Sequence, residues 1–176
     1  MLINEATQES INILIQRGFI HNRTLDNFLG FANVEWAFLE FSKRFHASYA
    51  HLFPLVSDRF ADILLRYNVI PKYYETPRDT RKYSSMLDFF EMNLKEHEET
   101  YDLIKNAIII SQENGDINVE ADLKQMLRMW NEFMNQAILL RDKAEIYKDD
   151  IKLYDSFSSQ FYTLKSVKKE LTGGGE

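Results

Sequence analysis

The chain has 176 residues, 14% of them aromatic, with no cysteine and a formal charge of −6. Disulfides, thiol nucleophiles and zinc–thiolate sites are excluded outright. The acidic balance argues against a nucleic-acid-binding body, which needs clustered Lys and Arg.

Helical periodicity runs through the chain and strand alternation is missing. Asn4 to Gly18 reads as a short leading helix, with Gly18 as its stop. Thr24 to about Phe45 reads as the first long helix, with Thr24 as N-cap. Pro54 then either opens a new helix in its first turn or kinks a longer one. That helix runs to Tyr67, and Asn68 and Pro71 close it. Pro71 to Asp79 reads as a loop, with Pro71 and Pro77 as breakers. A long helix follows from about Thr80 to Gln112, and Asn114-Gly115-Asp116 is a turn. The next helix runs from Ile117 to about Arg141; with no Gly or Pro between Asp116 and Thr172, either it continues or a further helix begins near Lys148 to Asp150. The Gly173-Gly174-Gly175 end reads as a flexible tail. The expectation is one all-α domain: a four-helix bundle core over about 24–143, with additional N- and C-terminal helices. The longest apolar runs are a few residues, too short to span a bilayer. No basic stretch leads into an apolar one near Met1, so a cytoplasmic protein is expected.

Winding each helix at 100° per residue places the ionisable groups. Glu35 and His46 fall in the middle of the apolar face of the first long helix. A carboxylate there is costly unless paired, protonated or metal-bound. Glu35 therefore reads either as an ion-pair member or as an inward metal ligand. The two residues are about 16 Å apart along a straight helix and cannot share an ion within one subunit. His97 lies on a buried stripe, as a hydrogen-bonded core residue or as a ligand. Arg141, on a core face, is a natural partner for a buried Glu. Asp58 and Asp62 lie opposite the core face of their helix, one turn apart and flanked by Leu55 and Leu65. That is either a subunit interface or a plain polar surface.

The helix order resembles the ferritin-like superfamily: two long helices, a connection, then two more around an Asn-Gly-Asp turn. The closer likeness is to the Dps-like miniferritins. It rests on Ser57-Asp58-Arg59-Phe60-Ala61-Asp62, followed by Pro71, which matches that family's acid spacing and its distance to a helix stop. The family's histidine positions fall on Phe31 and Lys43, its intervening acid falls on Ala47, and its glycine pair is replaced by Asn68-Val69. The ferroxidase motif is thus degenerate, and Glu35, His46 or His51 are the substitutes at hand if the connection before the helix of Asp58 and Asp62 is a few residues shorter. The resemblance implies that iron binds between two subunits, histidines of one meeting acids of the other.

It further implies an iron-binding protein that oxidises Fe(II) with oxygen or peroxide and stores the product inside a hollow homo-oligomer. Asp58 and Asp62 would be the ligands, with His46 and Glu35 as contributors. A second reading is a non-catalytic interaction or scaffold bundle that keeps the fold without the metal centre. An intrasubunit metal pair built on Glu35 and His97 is a third. DNA binding is expected to be weak or lacking. Lys165, Lys168 and Lys169 read as a solvated helix end.

Overall fold

A computed structural model describes residues 3–173. In chain order it contains α1 (Glu5–Trp36), α2 (Leu39–Phe45), a π-turn (His46–Ala50) and α3 (Leu52–Arg66). Then come α4 (Met86–Glu113), α5 (Ile117–Ile146), α6 (Ile151–Phe157), a 3-10 turn (Ser158–Phe161) and α7 (Lys165–Leu171). Gly174 and Gly175 of the expected tail lie outside the described residues. Among the described residues no helix is long and apolar enough to cross a membrane.

The leading helix and the first long helix are one element. Gly18 does not end α1; it lies where α3 crosses it. A Cβ there would stand 2.8 Å from the Phe53 carbonyl oxygen and would overlap the Ser57 side chain. The Ser57 hydroxyl donates to the Ile15 carbonyl at 2.8 Å across the same contact. A glycine that reads locally as a stop is here a packing requirement between two helices.

The expected helix from Thr24 to Phe45 instead breaks at Ala37, which sits in the left-handed region at φ 51°. For a residue with a Cβ this costs roughly 1–2 kcal/mol. The next residue, Phe38, becomes fully buried, which returns roughly 1.5–3 kcal/mol. The free N–H groups of α2 are then capped from far along the chain. Asp155 of α6 accepts from Leu39, Glu40 and Phe41 N–H at 3.1, 3.1 and 2.7 Å. One carboxylate thereby joins the C-terminal segment to the start of α2.

Pro54 lies in the first turn of α3 and has no N–H for the Ala50 carbonyl four residues before it. Asn22 of α1 donates to that carbonyl at 3.0 Å instead. Upstream the chain widens into the π-turn, closed by His51 N–H to the His46 carbonyl at 3.1 Å.

The end of α3 and the end of α4 use one device. Asn68 and Val69 N–H bond back to Leu65 and Leu64, and Gly115 and Asp116 N–H to Gln112 and Ser111. Asn68 (φ 57°) and Gly115 (φ 74°) take the left-handed position, as helix C-terminal motifs require. Asn68 thus does what a glycine would.

The 67–85 connection runs back along α1. Asn12 accepts from Lys72 N–H at 2.9 Å, Gln16 and Arg23 donate to the Glu75 and Thr76 carbonyls, and Asn27 to the Arg81 carbonyl. It therefore returns the length of the bundle, so α3 and α4 both run antiparallel to α1. This is the long-crossover form of a four-helix bundle. Arg81 anchors the connection, bonding Asp79, Glu96 and the Thr24 hydroxyl. Burial works to raise the Asp79 carboxyl; hydrogen bonds from Arg81 outweigh it and hold it below its usual range.

Two outcomes are expected. Gly18→Ala gains about 1 kcal/mol of helix propensity but forces α1 from the Phe53 backbone, so a net loss of about 1–3 kcal/mol should appear in urea unfolding. Asp155→Ala removes three hydrogen bonds and leaves the Glu40 and Phe41 N–H groups uncapped, Leu39 keeping its bond to the Ala37 carbonyl; it should cost about 1–2 kcal/mol, with protease cleavage between α5 and α7 as an independent reading.

Candidate functional site

At mid-bundle four side chains meet: His21 from α1, Tyr49 from the π-turn that leads into α3, His97 from α4 and Trp130 from α5. All are buried. The rings of His21 and His97 lie 4.6 Å apart edge to face, and His97 stacks on Trp130 at 5.4 Å. The hydrogen bonds assign the tautomers. His97 Nδ1–H donates to the Asn93 carbonyl at 2.7 Å, so Nε2 accepts the Tyr49 hydroxyl at 3.0 Å. The Trp130 indole N–H donates to the His97 carbonyl. Thr100 gives its hydroxyl proton to the Glu96 carbonyl, so its oxygen receives His21 Nε2–H at 2.9 Å. His21 Nδ1 is left as a buried acceptor with no hydrogen-bond partner, and so is Asn93 Oδ1. Each such group costs roughly 1–3 kcal/mol.

None of the fully buried polar side chains among the described residues is an Asp or Glu. Metal pairs inside helix bundles rely on inward carboxylates, so this interior does not fit one. Burial keeps both imidazoles neutral. It lowers His97 to about 4, against an opposing effect of the Asn93 carbonyl, and it lowers His21 well below the ordinary value, helped by His97 and Arg17. Burial likewise drives the Tyr49 hydroxyl upward. His97 is thus a hydrogen-bonded core residue, and Glu35 stands exposed near the end of α1. The two do not meet, which removes the intrasubunit pair.

A second cluster lies on the outside of the bundle. The donor atoms of Asp26 (α1), His46 and His51 all fall within 4.8 Å of one another. His46 Nε2 is 3.6 Å from Asp26 Oδ1, and the two imidazole rings are 4.2 Å apart. Among the described residues this is the one group of three or more His, Asp or Glu side chains so arranged. His46 was legible in the sequence, but as part of a buried face; its side chain is 55% exposed. The break at Ala37 turns α2 relative to α1, so one helical phase does not carry through. Asp26 was missed because it reads as an ordinary polar position of α1. His51 stands five residues after His46, a spacing that an α-helix splays by about 140° and the π-turn closes.

Asp58 and Asp62 are exposed on α3, as the period required. The groove beside Asp62 is lined by Arg59, Arg66, Asp122 and Glu170 among others and by no histidine. Arg66 pairs with Asp122 at 3.2 Å. Within one chain these acids and His46 are therefore not together. Arg141 finds no buried Glu; it pairs with its neighbour Asp142 at 3.1 Å. Gln136, expected at an edge, is fully buried, bonding the Phe161 carbonyl and Thr163.

No family model matches the chain, and no curated protein resembles it in sequence. Solved structures do resemble it. The open-pore ferritin of the hyperthermophilic archaeon Archaeoglobus fulgidus superposes with a TM-score of 0.83 at 14% identity, over 90% of this chain and 97% of that one. A second structure of that ferritin gives 0.83 at 13% identity, with the same coverage. A closed form engineered from it by mutagenesis gives 0.82 at 15%, over 89% and 96%. The fold is the ferritin four-helix bundle.

The neutral histidines make stability depend on pH. Unfolded histidines bind protons near pH 6.5, whereas folded His97 does so only near pH 4 and folded His21 also well below 6.5. The unfolded state holds the extra protons in this window, so stability is full above pH 6.5 and falls as the pH is lowered toward 4. For His97 alone the difference is worth about 3 kcal/mol. Urea midpoints should drop from pH 7 to pH 5, and His97→Gln should flatten that slope relative to its own value at pH 7.

Proposed function

We propose that the chain is a ferritin-like, iron-binding protein of the Dps kind, which takes up Fe(II), oxidises it and stores the product in a hollow homo-oligomer. The observation that carries this is the ferritin fold over nine-tenths of the chain, joined to a surface that brings a carboxylate and imidazoles together while the fully buried side chains of the interior include no Asp or Glu among the described residues. A site shared between copies follows from that distribution. His51, which caps the start of α3, and Asp58 and Asp62 within it lie within about 40° of one another in helical phase. Two copies meeting along this face about a two-fold axis run antiparallel, so the histidine end of one opposes the acid end of the other. Asp58 and Asp62 of one copy and His46 of the next then supply oxygen and imidazole donors, a set that suits Fe(II). Glu35 adds a further outward acid near the end of α1. Each Fe(II) gives up one electron, and a peroxide takes two, with two protons, leaving as water. Dioxygen is the other oxidant that serves.

A second reading has its own support. The mid-bundle position where an acid would be needed is filled by His21, Tyr49, His97 and Trp130, and Arg59 and Arg66 stand beside Asp62. Both fit a bundle that keeps the fold as an interaction or scaffold protein without a metal centre.

Light scattering after gel filtration and Fe(II) oxidation followed by ferric absorbance separate the two. The iron reading expects an assembly of a dozen or more subunits and an oxidation rate at least tenfold lower in Asp58→Asn/Asp62→Asn. A small, metal-free species with no activity above the buffer rate supports the scaffold reading.

A further inference from the structure

The shared iron site uses one histidine of this chain with the acids of another copy, and leaves Asp26 and His51 unexplained. We propose that Asp26, His46 and His51 of a single chain hold one divalent first-row transition-metal ion, with the remaining coordination positions open to water. The inference shares His46 with the iron reading but stands on the geometry of one subunit.

The π-turn is what makes it. It adds one residue to a helical turn, so His46 and His51, five apart, stand as a pair four apart stands in an α-helix. That is the spacing at which two imidazoles on one helix bind one ion. The ring separation of 4.2 Å reflects it. Asp26 supplies a carboxylate from α1, held opposite by the antiparallel packing of α1 on the α2–α3 segment. Its Oδ1 atom is shielded from solvent and has no hydrogen-bond partner. The 3.6 Å to His46 is too long for a hydrogen bond. An exposed ion pair at that distance does little for stability, so a structural ion pair does not explain the arrangement.

Metal bonds of about 2.0–2.2 Å to nitrogen and oxygen place donors about 3–3.5 Å apart. Here all donor atoms lie within 4.8 Å, and rotation of the partly exposed side chains closes the remainder. Two imidazoles and one carboxylate suit Fe(II), Co(II), Ni(II) or Zn(II); Ca(II) and Mg(II) prefer all-oxygen cages. Lys43 lines the same recess as Asp26 and His46, and its positive charge opposes a cation there.

Co(II) is the probe, read by its visible ligand-field absorption on the whole chain, with Zn(II) displacing it. One Co(II) per chain is expected at micromolar concentration. His51→Ala and Asp26→Asn should each weaken binding tenfold or more while keeping the wild-type circular dichroism, and Lys43→Ala should tighten it. Asp58→Asn/Asp62→Asn should leave binding intact. Wild-type protein without a visible Co(II) band up to millimolar metal overturns the proposal, as does unchanged binding in His51→Ala. Loss of Co(II) in Asp58→Asn/Asp62→Asn also overturns it, because the site would then need a second copy. Co(II) binding that persists in a protein unable to oxidise Fe(II) sustains this site and removes the iron reading.

Discussion

The bond from His51 N–H to the His46 carbonyl sets the geometry on which both the interior and the surface depend. It exists because Pro54 cannot donate to Ala50, and because Asn22 of α1 takes over that carbonyl. The chain then accommodates one extra residue before α3 starts. Tyr49 and Ala50 are turned into the bundle, and His46 and His51 are turned out of it. A regular helix through this stretch would divide the same residues differently between core and solvent.

Inward, that turn brings the Tyr49 hydroxyl to His97 and completes a layer of four side chains, from α1, the π-turn, α4 and α5. The layer is neutral. An imidazolium here would be desolvated with no carboxylate beside it, and a carboxylate would lack a cation or metal. The bundle instead stacks rings and uses backbone carbonyls as acceptors, with Asn93 receiving His97 and His97 receiving Trp130. The aromatic surplus of the composition is spent here and in a second cluster built on Phe28, Phe38, Phe41, Phe90 and Tyr154, all buried. Tyr154 comes from α6, so the C-terminal segment is part of the core, and Asp155 beside it holds the start of α2. The extension beyond α5 is integral to the bundle.

Outward, the same turn concentrates imidazole donors where α1 passes, while the acids of α3 lie further along the same helical phase. The carboxylate and imidazoles that stand close together are thereby on the surface of the bundle rather than in its middle. Whether one chain suffices there, or a neighbour is needed, separates the single-chain site from the shared one.

Much of this was legible in the residues alone. Helical period, the Asn114-Gly115-Asp116 turn and the breakers at Pro71 and Pro77 determine an all-α bundle. The outward direction of Asp58 and Asp62 follows from their phase against Val56, Phe60 and Ile63. These features are local, so a single strand of sequence carries them. The break at Ala37 has no Gly or Pro to announce it, and only the burial of Phe38 and the distant Asp155 make it favourable. Gly18 looks like a stop until α3 is laid across it. His46 and His51 are out of phase until Pro54 and Asn22 together widen the turn, and Asp26 is silent until antiparallel packing sets it opposite them. Each of these depends on atoms brought together from distant parts of the chain, and only the tertiary structure could decide them.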